Sequence, residues 1–285
     1  MLTLAAGSLV LTSITAGAQA PHFSNLYVFG DSYNDVGNLY NFFNGQSPRS
    51  PYYQGRFSNG PIWVDHVAGF LGLPLIASSL GGTDYAWGGA AVTGSDKYIP
   101  PVPQQVRQYL VDHGDRADPD GLFIIEGGIN DVMRSKLDNP DEIGFQIARG
   151  LVNCEEELRQ AGARYFLIPD LLDVGFLPAA AQFAGPASAA SSATNKWLEK
   201  LLAADGRREG NHILRLDVFR LVSAVGKDPT HFGFINITDP CNITTLCADP
   251  DHWFFFDSVH PSEFAHSGFA IAVETILATR NTHAE

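Results

Sequence analysis

The chain of 285 residues has few cysteines, few basic residues and no long apolar segment in its interior. Three cysteines are too few for a small disulfide-stapled scaffold or a cysteine-rich zinc site. Lys and Arg total 18 against 31 Asp and Glu, and the net charge of −13 argues against nucleic acid or an anionic membrane as the main partner. No internal run approaches the roughly 20 apolar residues that a membrane-spanning helix needs. With 45% hydrophobic residues, the composition predicts a soluble, acidic globular protein without an integral membrane segment.

Several catalytic and cofactor-binding motifs are also missing. There is no G-x-S-x-G, so the nucleophile elbow of α/β-hydrolases is absent. The patterns G-x-G-x-x-G, Walker A, H-E-x-x-H and C-x-x-C do not occur either. We therefore expect neither an organic cofactor nor a metal ion.

The first 20 residues (MLTLAAGSLVLTSITAGAQA) are apolar, contain no acidic residue and end in a small-x-small pattern. These features predict a signal peptide over residues 1–20, although a basic residue near the start is missing. The alternative is a buried first helix. We assign residues 21–285 to a single folded domain because no linker-like stretch divides them.

Two further features favour export. Asn236 and Asn242 each begin an Asn-Ile-Thr glycosylation sequon. Cys241 and Cys247 lie close together in a loop-like stretch, where a disulfide would close a short loop, whereas Cys154 lies in a helical stretch and is expected to be a buried free thiol. The sequence thus predicts a secreted, extracellular glycoprotein.

Short apolar runs alternate with longer segments of helical periodicity. This alternation requires crossover connections and predicts a parallel sheet covered by helices on both faces, a three-layer α/β/α sandwich. Strands are predicted at residues 26–29, 122–125, 165–168 and 213–216, and helices at residues 63–71, 103–113, 141–161, 187–204 and 261–278. Reactive groups of such sheets collect beyond the carboxyl ends of the strands.

The first candidate reactive group follows the first strand, where residues 29–38 read FGDSYNDVGN. A serine at the start of a helix would lie beside free backbone N–H groups that can face an anion, so Ser32 is a candidate nucleophile. The alternative is that Ser32 and Asp35 form a capping box that only begins a helix.

A candidate base and its orienting acid lie near the other end of the chain. Asp257 and His260 are three residues apart, so one short segment could supply both groups to a serine. Asp249 and His252 have the same spacing. We favour Asp257 and His260, because Asp257 directly follows the apolar run 253–256, which should fix it against the core.

Two other segments could stabilise negative charge on a substrate. The Asn130 amide follows the second strand and could donate to an oxyanion, although Gly, Asn and Asp also form plain polar turns. In residues 86–90 (AWGGA), glycines would let a backbone N–H approach a ligand, although such a stretch is often only a tight turn.

Together these segments resemble the GDSL esterase/lipase family, the SGNH hydrolases. The matching blocks are residues 29–38, with Tyr33 in place of the usual Leu; 55–63 (GRFSNGPIW); 84–90 (DYAWGGA), with Asp84 in place of Asn; 128–131 (GIND); and 257–261 (DSVHP). The resemblance spans the whole chain after the predicted signal peptide and implies a flavodoxin-like fold.

The resemblance also implies roles for individual residues. Ser32 would be the nucleophile, His260 its base, and Asp257 the acid that orients the imidazole. The backbone N–H groups of Ser32 and Gly89 and the side-chain amide of Asn130 would form the oxyanion hole. Gly88 is the alternative to Gly89.

A secreted serine ester hydrolase is therefore the predicted function, with acylated carbohydrate or lipid as the class of substrate. Some secreted fungal members of the family are carbohydrate acetylesterases, and aromatic residues able to stack on sugars favour short acetyl esters: Tyr52, Tyr53, Trp63 and Trp87. The alternatives are a lipase or acyltransferase acting on longer lipid esters, and a non-catalytic glycan-binding protein on the same scaffold. The sequence does not predict an oligomeric state.

Overall fold

The computed structural model describes residues 22–205, 212–242 and 246–280. The predicted signal peptide and the last two positions of the second sequon lie outside the described residues. The strands are β1 (Leu26–Phe29), β2 (Leu122–Ile125), β3 (Tyr165–Leu167) and β4 (His212–Leu214). The helices are α1 (Asn38–Phe42), α2 (Trp63–Leu71), α3 (Val102–Asp112), α4 (Ile129–Arg134), α5 (Pro140–Gln160), α6 (Ala184–Asp205), α7 (Val218–Lys227) and α8 (Glu263–Arg280).

The four strands form one parallel sheet in the order β1-β2-β3-β4. A short segment beside β1 extends this order. The Val28 N–H donates to the Thr83 carbonyl at 3.1 Å, and the Tyr85 N–H donates to the Val28 carbonyl at 2.7 Å. Residues 83–85 thus occupy the position that the second strand along the chain takes in flavodoxin-like sheets.

Helices cover both faces of the sheet, which confirms the predicted α/β/α sandwich. Helix α2 packs against α8, and α5 packs between α3 and α6. Every residue of β1 and β2 is buried, because helices lie on both sides, so each strand is an uninterrupted apolar run rather than an alternating one. At Gly144 of α5, an added Cβ would lie 2.5 Å from the Thr194 backbone nitrogen, so the absence of a side chain allows α5 and α6 to pack closely.

The structure also differs from several predicted boundaries. Helices α1, α4 and α7 were not predicted, α8 begins at Glu263 rather than at Pro261, and β4 lies one to two residues earlier than expected. The short helices α1 and α4 follow the serine and Gly-Gly segments directly, where turn-forming residues obscure helical periodicity.

The cysteines behave as predicted. Cys241 and Cys247 form a disulfide, and Cys154 is a buried free thiol in α5. Within the described ranges, no helix is long and apolar enough to cross a membrane.

Candidate active site

Ser32 lies in a tight turn just beyond the carboxyl end of β1. The N–H groups of Asn34 and Asp35 both donate to the Asp31 carbonyl, and the Tyr33 N–H donates to the Asp31 carboxylate at 3.0 Å. The prediction that Ser32 begins a helix is therefore wrong, since the next helix, α1, begins six residues later. Asp35 caps α1 instead of forming a box with Ser32.

The structure brings Ser32, His260 and Asp257 together, although Ser32 and His260 are 228 residues apart. His260 Nε2 lies 2.7 Å from Ser32 Oγ, and His260 Nδ1 lies 2.6 Å from Asp257 Oδ2. The other carboxylate oxygen, Oδ1, accepts the backbone N–H groups of Val259 and His260, both at 2.7 Å. The imidazole can thus take the serine proton while the carboxylate holds its other nitrogen. His260 lies three residues before α8, because this helix begins at Glu263 rather than at residue 261 as predicted.

Asp257 is held in its ionised form. Burial favours the neutral acid, but the nearby imidazole of His260 and the hydrogen bonds from His260 and Tyr52 outweigh burial and lower the pKa of Asp257 to about 2. The Asp257 carboxylate is therefore negative whenever the neighbouring imidazole accepts a proton near neutral pH.

The competing pair, Asp249 and His252, also forms a contact between carboxylate and imidazole, but it lies at the surface. His252 Nδ1 lies 2.8 Å from Asp249 Oδ2, and the two side chains are 52% and 54% exposed. The side chains of His260 and Asp257 are only 12% and 14% exposed. Burial and the contact with Ser32 distinguish the two pairs, in favour of Asp257 and His260.

Backbone N–H groups of the glycine segment differ in their availability. The Gly88 N–H donates to Asp35 Oδ2 at 2.7 Å, so it is already occupied. The N–H groups of Gly89 and Ser32 make no hydrogen bond within the described part of the chain. Gly89 has a φ of 82°, a left-handed conformation that glycine adopts readily. Gly89 rather than Gly88 is therefore free to donate to a substrate oxygen.

Side chains of helix α4 donate hydrogen bonds to backbone carbonyls of the glycine segment. Asn130 Nδ2 donates to the Ala90 carbonyl at 2.9 Å and lies 3.3 Å from Asp31 Oδ2. One turn later on the helix, Arg134 donates to the Gly89 carbonyl at 2.9 Å. Two successive carbonyls are thus fixed by one helix, and this fixes the direction of the peptide units around Gly89.

Buried carboxylates connect the serine and glycine segments. Asp35 accepts the N–H groups of Gly37, Asn38 and Leu39 in addition to that of Gly88. Burial nevertheless raises the pKa of Asp35.

Asp84, which replaces the family's usual Asn, accepts the Val36 N–H at 2.7 Å and the Ala86 N–H at 3.0 Å through its two oxygens. Burial and the nearby Asp35 raise the pKa of Asp84 well above its ordinary value. Burial also raises the pKa of Asp31 to about 6, against the opposing hydrogen bond from the Tyr33 N–H.

Two aromatic residues contact Asp257 and His260, and the sequence did not predict either contact. The Tyr52 hydroxyl donates to Asp257 Oδ2 at 2.6 Å, although the sequence suggested only a sugar-stacking role for this residue. The Phe57 ring lies 4.8 Å from the His260 ring, centroid to centroid. Phe57 belongs to the block at residues 55–63. This block indicated the family, but it did not predict the contact with His260.

No group of three or more His, Cys, Asp or Glu side chains able to hold a metal ion occurs among residues 22–205, 212–242 and 246–280.

Comparison with known proteins shows the family of the chain. Residues 26–273 match the model of the GDSL-like lipase/acylhydrolase family, and the chain belongs to this family. The class is that of ester-bond hydrolases, which confirms the predicted family and enzyme class.

The individual proteins that the chain resembles share only limited sequence identity with it. The chain is 29% identical over 237 residues to a phosphatidylcholine-sterol acyltransferase from Aeromonas hydrophila, covering 82% of this chain and 70% of that protein. It is 35% identical over 209 residues to Lipase 1 from Photorhabdus luminescens, covering 70% of this chain but 29% of that lipase. The solved structure of an aryl esterase from M. smegmatis is 14% identical and covers 90% of this chain and 98% of its own, with a TM-score of 0.48.

Proposed function

We propose that the chain hydrolyses carboxylic esters through a covalent acyl-enzyme formed on Ser32. The main support is the 2.7 Å contact between Ser32 Oγ and His260 Nε2, with Asp257 on the opposite ring nitrogen. Ser32 attacks the ester carbonyl while His260 takes its proton and then gives it to the leaving alcohol. Water, deprotonated by His260, next attacks the acyl-enzyme and releases the acid and the free serine.

The oxyanion formed in both steps needs donors that are not already occupied. The N–H groups of Ser32 and Gly89 meet this condition, as described above, and the Asn130 amide is the third proposed donor. The amide lies against Ala90 and Asp31 before substrate binds, so it must give up one of these partners to a developing oxyanion. The 3.3 Å contact with Asp31 is the longer and weaker of the two.

The Asn130 assignment is tested by Asn130→Ala. We expect kcat on p-nitrophenyl acetate to fall by about 10²- to 10³-fold with little change in KM, because the lost donor acts only on the transition state. A circular dichroism spectrum and melting temperature like those of the parent would exclude unfolding. A kcat within twofold of the parent would remove Asn130 from the oxyanion hole.

Within the ester substrates we propose short acyl groups carried on carbohydrate. A cleft of about 440 Å³ lies beside the glycine segment, and Trp87 and Tyr98 line it together with the polar side chains of Gln104 and Gln108. An aromatic face beside hydrogen-bonding side chains is suited to a sugar ring. Ile99, next to Tyr98, lies 3.2 Å from where a Cβ on Gly89 would be, so the segment that carries Tyr98 also contacts the glycine segment.

The cleft predicts separate effects on large and small substrates. Tyr98 is 58% exposed, so Tyr98→Ala should leave the core intact. We expect KM for an acetylated xylo-oligosaccharide to rise by about five- to tenfold, the effect of one lost stacking contact, with kinetics on p-nitrophenyl acetate unchanged. Ile235→Ala is the control, because Ile235 is 69% exposed and does not line the cleft. Equal KM values in the two variants would argue against a sugar in this cleft.

One observation favours the alternative of longer lipid esters. The Phe42 and Phe43 side chains are 47% and 44% exposed, and the Phe42 ring contacts Trp87 with centroids 5.6 Å apart. An exposed aromatic cluster next to the glycine segment could contact an acyl chain. Rates on p-nitrophenyl acetate, butyrate and palmitate separate the alternatives, because a preference for palmitate would favour the lipase or acyltransferase.

We also propose that the protein is exported. The supporting features are the apolar segment over residues 1–20, the sequons at Asn236 and Asn242, and the disulfide between Cys241 and Cys247, a bond that persists in oxidising compartments.

A further inference from the structure

A phenol completes the hydrogen bonding of the proposed triad carboxylate. Asp257 Oδ2 accepts two donors, His260 Nδ1 and the Tyr52 hydroxyl, each at 2.6 Å. Its Oδ1 accepts two backbone N–H groups. Three of these four donors come from Asp257's own loop, whereas Tyr52 lies 205 residues away in the sequence. Because Tyr52 belongs to a separate segment, its hydrogen bond restrains the orientation of the Asp257 carboxylate independently of the loop that carries Asp257.

The hydroxyl of Tyr52 is itself held in place. The Tyr52 ring packs edge-on against Phe256, with centroids 5.1 Å apart, and against Phe57, with centroids 6.1 Å apart. The turn that carries Tyr52 and Phe57 is closed by the Tyr53 N–H, which donates to the Ser58 carbonyl at 2.8 Å. One closed turn therefore supplies a ring to the imidazole of the triad and a hydroxyl to its carboxylate.

We propose that Tyr52 is a positioning residue, whose hydroxyl orients the Asp257 carboxylate and, through it, the His260 imidazole. The proposal rests on the function proposed above. The hydroxyl occupies the lone pair of Oδ2 that would otherwise bind water, so the carboxylate cannot rotate toward solvent and away from Nδ1. A misdirected imidazole would no longer align Nε2 with Ser32, and alignment of reacting groups controls the rate.

The same hydrogen bond also moderates charge. A phenol that donates to Oδ2 withdraws part of the negative charge that faces the imidazole. Without the hydroxyl, both the charge and the direction of the carboxylate at the imidazole change, so the acid limb of the kcat/KM profile should move. The other titratable groups that face the imidazole are Asp31, Tyr33 and His266.

The test is Tyr52→Phe, which removes the hydroxyl and keeps the packed ring. We expect kcat on p-nitrophenyl acetate to fall by about tenfold with KM nearly unchanged, the scale of one charge-assisted hydrogen bond. The acid limb should also move, and the change can be assigned to Asp257 because Asp31, Tyr33 and His266 remain in place. Tyr40→Phe is the matched control, since the Tyr40 hydroxyl makes no hydrogen bond within the described part of the chain, and both readouts should match the parent.

A double substitution decides whether Tyr52 acts through Asp257. If it does, adding Tyr52→Phe to Asp257→Asn should change kcat by less than about twofold, because the positioned carboxylate is already gone. A parental kcat and an unmoved acid limb in Tyr52→Phe would overturn the proposal, as would a full tenfold further loss in the double variant. Ser32→Ala separates this failure from failure of the proposed function, since an active Ser32→Ala would contradict the triad itself.

Discussion

Replacing Ser32 with alanine is expected to lower kcat by about 10⁴- to 10⁶-fold on any ester that the protein hydrolyses. The hydroxyl oxygen is the atom proposed to form the covalent bond, and it lies 2.7 Å from His260 Nε2, the proposed base. KM should change little, because Ser32 contributes chemistry rather than binding. The measurement is steady-state release of nitrophenol by purified variant and parent, with burst amplitudes recorded for both.

The matched control for this variant is Ser267→Ala, which removes a serine hydroxyl from α8, where it only donates to the Phe264 carbonyl. This variant should retain parental kcat. If Ser32→Ala kept near-full activity after contaminating esterase had been excluded, the covalent mechanism would be wrong.

Replacing Asp257 with asparagine is expected to lower kcat by about 10⁴-fold, although the side chain keeps its size. The neutral amide no longer stabilises the imidazolium, and an amide N–H facing Nδ1 favours the tautomer that cannot accept the serine proton. The pKa of Asp257, about 2, means that the parent keeps its carboxylate ionised far below neutral pH. Activity of the parent should therefore show no titration of Asp257 above about pH 4.

The competing pair supplies the control for this second variant. Asp249→Asn changes an aspartate that bonds to a histidine three residues later, but both side chains are about half exposed. Its kcat should equal that of the parent. A large loss in Asp249→Asn together with normal activity in Asp257→Asn would reverse the assignment of the two pairs.

The lowered pKa of Asp257 also affects stability. Since its pKa in the folded protein is below the ordinary value of 3.8, ionised Asp257 stabilises the fold above that value, and this stabilisation is lost as pH falls toward 2. Asp31, whose pKa burial raises to about 6, has the opposite sign. The unfolded chain ionises Asp31 near pH 3.8 while the folded protein keeps it protonated up to about pH 6, so its cost in folding free energy accrues over that interval. The two carboxyl groups therefore limit stability from opposite sides.

Much of the fold could be predicted from the sequence. The runs at residues 26–29 and 122–125 match β1 and β2, because strands buried on both faces leave a continuous apolar signal. The amphipathic helices α2, α3 and α5 were found to within one residue, because one buried face gives each of them a helical period of apolar residues. Helices α1 and α4 were missed because they are five and six residues long, too short for their periodicity to stand out. Helix α7 was missed although it has ten residues and the Asp217 side chain caps its first turn by accepting the Arg220 N–H.

The candidate site was predictable only in part. Ser32, Asp257 and His260 lie in short blocks whose residue types already suggest nucleophile, acid and base. Their meeting within hydrogen-bond distance is a tertiary property, because the loop before α8 is held against the turn after β1, where the Tyr33 hydroxyl donates to the Val259 carbonyl. The choice between Asp257 and Asp249 could be argued from the preceding apolar run, but burial of the whole pair is a tertiary property.

The amino-acid order alone determined the family, the enzyme class, the alternation of strands and helices, and the residue types available for catalysis. The tertiary structure decided which donors are free and which are occupied. Asp35 takes the Gly88 N–H and leaves that of Gly89 free, and Tyr52 reaches Asp257 across 205 residues. Such pairings depend on distances of about 3 Å between segments remote in the chain, and local periodicity carries no information about them.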